Sequence, residues 1–206
     1  QPSKGVLWGW EVSAYIATKA IASGTYLVAM VMMLSGMLEM TDGMWWQLVI
    51  GCTTFLGITG VLLVMDLDRP ERFLYVMLRP NWDSWLVKGA YILAGFGGVL
   101  ACSGAVLFFD LDRVYLEYLA YAGVPLAVLT GVYTAWLFGQ ARGRSWSEDK
   151  FLTTKMLVEM IIAGAAGLIL LTSFGILAII LAAVLLAAVS SHAHGTVIKP
   201  QLETLH

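Results

Sequence analysis

The amino-acid sequence predicts an all-α integral membrane protein with about six transmembrane helices. Three observations carry that prediction. Of the 206 residues, 59% are hydrophobic and only 13% charged, against roughly 25% charged in an ordinary soluble domain. Mean hydropathy is +0.80. The apolar residues gather into runs of about 20 or more, the length that crosses a bilayer, and tryptophans stand at the ends of those runs, where the interface begins. A net charge of −2 leaves no basic excess, so nucleic acid is set aside as a partner and the lipid bilayer is the expected surroundings.

The first span is expected over 12–38, behind Trp8 and Trp10, and the second over 44–65, behind Trp45 and Trp46. The third, over 86–109, follows Trp82 and Trp85. In it Ala90, Ala94, Gly98 and Cys102 recur every four residues, a small-residue face that lets another helix backbone approach closely. The fourth, over 115–138, contains Pro125, which predicts a kink, and closes at Trp136. Residues 156–190 are the difficult stretch. As one helix their 35 residues would run to about 52 Å at ~1.5 Å per residue, too long for a core of about 30 Å. A break at Ser173-Phe174-Gly175 into two short helices is expected, with a long tilted helix as the alternative. The organisation is one membrane domain over 1–206: a four-helix bundle over 8–146, one or two further helices over 147–190, and a tail over 191–206.

The stretch MDLDRPERFLYVMLRPNWDSW, residues 65–85, packs four acids and three arginines between two apolar spans. Asp68 can cap a helix, Pro70 suits its first turn, and Glu71 stands three residues after the cap. Residues 69–78 therefore read as a short interfacial helix between the second and third spans, with Phe73, Leu74, Met77 and Leu78 as its apolar side. Two readings of this collar stand. It is a structural staple whose charges neutralise one another, or a rim whose arginines hold a polar head group while its acids exchange protons.

Counted by loop, nine Lys and Arg residues fall on the N-terminal side of the spans and only Arg113 on the other. That asymmetry places the N terminus in the cytoplasm. No removable signal peptide is recognisable ahead of the first span, so targeting is expected to come from the spans themselves.

On the first helix Glu11, Tyr15, Thr18, Lys19, Ser23 and Tyr26 share one face of about 140°. Lys19 lies inside the hydrocarbon region, where an ionisable group usually marks a site or a pathway; the alternative is snorkelling to the near interface. On the fourth helix Tyr133 is either an interface anchor or a phenol that can donate to a carbonyl. Glu159, one turn after Lys155, reads as its pair or as an intramembrane acid suited to proton relay. Cys52 and Cys102 read as small buried apolar residues. The three histidines, His192, His194 and His206, all lie in the tail, whereas a membrane haem takes axial ligands within the bilayer, so no haem is expected. With no cysteine cluster, no iron–sulfur centre and no metal site are expected in this chain.

Three stretches together, GWEVSAYIATKAIASG, DLDRPERFLYVMLRPNWDSWLVKGAYI and TGVYTAWLFGQARGR, resemble the NrfD/polysulfide-reductase membrane-subunit family, whose relatives include membrane subunits of alternative complex III. The resemblance covers residues 8–146. It implies a respiratory redox subunit of a prokaryotic cytoplasmic (inner) membrane that binds quinone or quinol, menaquinone or ubiquinone, and exchanges electrons with an iron–sulfur, ferredoxin-like partner. A molybdopterin or multihaem cytochrome subunit is the further partner it implies. Asp66, Arg69, Glu71 and Arg72 would then lie near the quinone or the partner interface and handle protons, with Glu11, Tyr15, Lys19 and Tyr133 as the quinone-binding set. Such a chain would be a quinol/quinone oxidoreductase component active only within a complex. Lys19 departs from the histidine or asparagine of some members, and the family usually has eight or more spans. A passive membrane anchor without a quinone site of its own is the alternative, and a small transporter using Lys19 and Glu159 a weaker one.

Overall fold

The computed structural model describes residues 10–65, 80–140 and 151–174. Five helices make up that part: α1 Trp10–Leu34, α2 Asp42–Met65, α3 Trp85–Phe108, α4 Val114–Gln140 and α5 Leu152–Phe174. Each is long and apolar enough to cross a membrane, and no strand occurs among the described residues. The expected interfacial helix over 69–78, the sixth span beyond Gly175 and the tail lie outside the described residues.

Local chemistry sets the helix ends. Gly36, at φ +74°, stops α1. There Met37 N–H bonds to Met32 O at 2.9 Å and Gly36 N–H to Met33 O at 3.0 Å, so two carbonyls of the last turn are satisfied. Helix α1 therefore ends at Leu34, four residues short of the apolar run. Asp110, at φ 50°, closes α3 in the same way, with Leu111 N–H on Val106 O at 2.9 Å. Thr41 caps α2, its hydroxyl accepting from Met44 N–H at 3.3 Å. Helix α4 is assigned as one helix through Pro125.

Packing places α1 at the centre, against α2, α4 and α5, while α3 fills in between α2 and α4. The closest approach is between α1 and α5. A side-chain carbon on Gly24 would run into the backbone of Met160 and Gly164, and one on Gly164 into the backbone of Gly24. Helix α5 is thus an integral neighbour of α1, not an addition to a closed set of four. The small-residue face of α3 behaves differently: Ala90 is buried, but Ala94, Gly98 and Cys102 are exposed, and nothing lies within 4 Å of a side chain added at Gly98. Cys102 is accordingly not the buried residue expected, although Cys52 is. Trp45, expected as an interface anchor, packs instead in the core with Leu48 and Phe55. Trp46 and Trp82 remain outward-facing.

The two membrane faces are marked by side-chain contacts. Trp85 at the start of α3 and Trp136 near the end of α4 meet with ring centroids 4.7 Å apart. On the opposite face Arg113, before α4, bonds both carboxylate oxygens of Asp42 at 2.9 Å and also Asp110 at 2.9 Å. The guanidinium's hold on its proton is strengthened, first by the hydrogen bond to Asp42.

Candidate functional site

The polar face of α1 is turned inward. Spacings of four place Tyr15, Lys19 and Ser23 on one stripe, and all three are buried, Lys19 to 1% exposure. Snorkelling is thereby excluded for Lys19: its amino group stays inside the bundle and donates a hydrogen bond to Thr134 Oγ1 on α4. The same nitrogen lies 4.6 Å from the centroid of the Tyr133 ring, the placement in which a cationic head is attracted by the ring's electron-rich face. Lysine carries three N–H donors, and Thr134 takes one of them.

Tyr133 is fully buried, so it is not an interface anchor. Its ring lies against Gly89 of α3, where any added side chain would meet the ring carbons. Its hydroxyl has no hydrogen-bond partner among the described residues; the Thr134 hydroxyl comes near it without meeting hydrogen-bond geometry. Native structures pair nearly all such groups, so an orphaned buried hydroxyl calls for a ligand, a water or a function. The Thr130 hydroxyl, one turn from Thr134 on α4, is orphaned as well. Below the lysine, Thr18 on α1 and Thr59 on α2 share a hydrogen bond at 2.8 Å. Ser23 donates to Lys19 O at 2.7 Å, satisfying itself within the helix.

A column of polar groups thus runs up the α1–α4 seam inside an otherwise apolar bundle. Tyr15 stands at its lower end, among Leu62, Ala135, Phe138 and Met156. Of the sequence-derived residues, Tyr15, Lys19 and Tyr133 are brought into this interior. Glu11 falls in the first turn of α1, with its side chain outside the described set, and Asp66, Arg69, Glu71 and Arg72 lie outside the described residues. Thr59, Thr130 and Gly89 belong to the column or its packing and were missed. The only signal for the two threonines is a lone hydroxyl in an apolar run, and Gly89 offers none until the ring above it is seen. Among the described residues no cluster of His, Cys, Asp and Glu could hold a metal ion.

Glu159 is not part of the column. It is exposed on α5, and no hydrogen bond or ion pair engages it among the described residues, so the expected pairing with Lys155 is not formed there.

A bundle with five spans among its described residues, and polar groups on the first helix and at the end of the fourth, invites comparison with membrane redox subunits. The family model described as polysulphide reductase, NrfD, matches residues 1–179. The chain belongs to the NrfD family. No curated protein and no solved structure matches it. As an NrfD protein it is a multi-pass membrane subunit of a redox complex, of the kind linked to the quinone pool. The match extends through α5, so that helix belongs to the NrfD unit along with the first four.

Proposed function

We propose that this NrfD chain is the quinone-reactive membrane subunit of a respiratory complex in a prokaryotic cytoplasmic membrane. Quinone or quinol is held at the Lys19–Tyr133 column, and electrons are exchanged with an iron–sulfur partner subunit. The observation that supports it is the orphaned Tyr133 hydroxyl beside a buried lysine that spends one of its three donors. A hydroxyl and an amino group on one ring's edge and face, in an apolar interior, suit the carbonyl oxygens of the head group that the family implies. When bound, a quinone supplies a two-electron, two-proton couple.

The chain's own residues do the remaining work. Tyr133 and Lys19 donate hydrogen bonds and so orient a head group, while Thr134 holds Lys19 in place. Apolar neighbours such as Leu62 and Phe138 keep water away. Thr130 offers a further hydroxyl next to the lysine's acceptor. The collar of Asp66, Arg69, Glu71 and Arg72 carries protons between the column and the cytoplasm-facing rim, on the side where the N terminus also lies.

The test is Lys19→Met and Tyr133→Phe in the complex purified whole from membranes, assayed twice. Quinol-dependent turnover falls at least ten-fold in each. Turnover with a soluble dye at the partner subunit is unchanged, which shows that assembly survives. If quinol turnover is unchanged in both, these residues bind no quinone and the passive anchor replaces this reading. Arg72→Ala tests the collar separately, with a several-fold loss expected.

A further inference from the structure

Gly89 of α3 is buried, and there α3 meets the ring of Tyr133 on α4. A side-chain carbon built at Gly89 would fall on Cδ2 and Cε2 of the ring and crowd Cζ, the carbon that carries the hydroxyl. Crowding of this kind is relieved when a flexible chain end moves aside, and an aromatic ring is stiff. The ring is also enclosed. Lys19 Nζ stands 4.6 Å from its centroid, and the lysine is tied to Thr134, the next residue along α4.

Only two torsions could carry the ring away from a side chain at Gly89. Turning about the Cβ–Cγ bond leaves the hydroxyl on its axis but rotates the ring face that Lys19 lies over. Turning about the Cα–Cβ bond swings the hydroxyl itself to another place. Either motion breaks the joint placement of phenol and amine. Three helices therefore fix one hydroxyl: α4 carries it, α1 sets an amino group over its ring, and α3 presents bare backbone at the ring edge.

The bundle contains a second pair of the same kind. Gly123 of α4 meets the ring and hydroxyl of Tyr26 on α1 as closely. That hydroxyl, however, donates to Leu119 O at 3.4 Å, so the pair is complete as packing. At Gly89 the tyrosine it meets has an orphaned hydroxyl, and the same packing leaves a donor free for a ligand.

We propose that Gly89 is a positioning residue of the column: the bare backbone there holds the Tyr133 hydroxyl where it and Lys19 together reach one head group. The inference rests on the quinone reading given above. It adds that α3, which contributes no hydrogen bond to the ligand, sets the affinity through the tyrosine.

The experiment compares Gly89→Ala, Gly123→Ala and Tyr133→Phe in the complex purified whole from membranes, with short-tailed ubiquinol and menaquinol as the probes. Gly89→Ala is expected to raise the KM for quinol at least five-fold, with turnover of a soluble dye at the partner subunit unchanged. Gly123→Ala overpacks the other tyrosine and is expected to lower the unfolding midpoint while leaving that KM in place. Gly89→Ala combined with Tyr133→Phe is expected to turn over quinol no more slowly than Tyr133→Phe alone, because both changes remove the same donor. If Gly89→Ala does not assemble, adding Tyr133→Leu, which removes the ring, is expected to restore assembly. An unchanged KM in Gly89→Ala, an equal rise in Gly123→Ala, multiplied losses in the double variant or no rescue by Tyr133→Leu would each overturn the proposal and leave the quinone reading standing. Unchanged quinol turnover in Tyr133→Phe would overturn both.

Discussion

Lys19 and Glu159 sit at similar depth, each two turns or more into a span that starts from the same membrane face. One is enclosed by Thr134 and the Tyr133 ring; the other looks outward with no partner among the described residues. Placing an ionisable side chain in hydrocarbon costs on the order of 2.5–3.5 kcal/mol for either sign. The bundle compensates Lys19 internally, whereas among the described residues no hydrogen bond or ion pair engages Glu159. Enclosure by named partners, and not charge or depth, is what separates the two positions.

Exchanging the signs breaks the comparison most directly. Lys19→Glu would put a carboxylate against the negative face of the Tyr133 ring with no cation near it, and leaving a charge buried and uncompensated costs about 3–5 kcal/mol. The variant is expected to lose its monodisperse form in detergent. Glu159→Lys in the isolated chain is expected to keep that form and its unfolding midpoint, because no contact within the described bundle depends on the carboxylate. Equal loss in both would mean that Glu159 has a partner inside the fold.

A second contrast uses two glycines. Gly164 touches the backbone of Gly24, whereas Gly98 faces open space. Gly164→Leu forces α5 off α1 at a cost at or above the upper end of the about 1–3 kcal/mol typical of overpacking. Gly98→Leu is expected to leave thermal unfolding in detergent unchanged.

How much of this was legible follows from the same residues. The five described spans fall where their apolar runs do, because length and hydropathy are local properties, and the all-helical class follows from the bilayer's intolerance of unpaired backbone. The end of α1 at Leu34 was also written, in Gly36. Lys19 was legible as an intramembrane charge, and its position beside Tyr133 and Thr134 was not, since 115 residues separate it from its acceptor. The small-residue stripe was right at Ala90, which is buried, and misassigned beyond it. Ala94, Gly98 and Cys102 show a regular four-residue spacing and face outward, while the contact that closes the bundle uses Gly24 and Gly164 on different helices. Spacing shows which faces permit a close approach; the approach itself is decided by pairs.

Thr134→Val sharpens the interior half of the comparison. It removes the acceptor of the Lys19 hydrogen bond while keeping shape, and a buried donor left unmade costs about 1–3 kcal/mol. Lower thermal stability is expected, together with a raised KM for quinol, as the lysine is no longer held against Tyr133. A stability loss with unchanged KM would separate the hydrogen bond from ligand positioning.

The smallest effect is expected at the outer rim, where a charge pair faces water. Arg113 bonds Asp42 and Asp110, yet its side chain is 39% exposed and that of Asp42 64%. Exposed pairs gain little over their hydration and are screened by salt. Asp42→Asn leaves Asp110 in place to hold the guanidinium, so the unfolding midpoint should not move at either low or high ionic strength. A clear salt-dependent drop would show that this rim pair, linking the start of α2 to the start of α4, fixes the two hairpins relative to each other. Arg113 would then act as a structural clamp, holding the start of α4 to the start of α2, and not as a residue that sets topology.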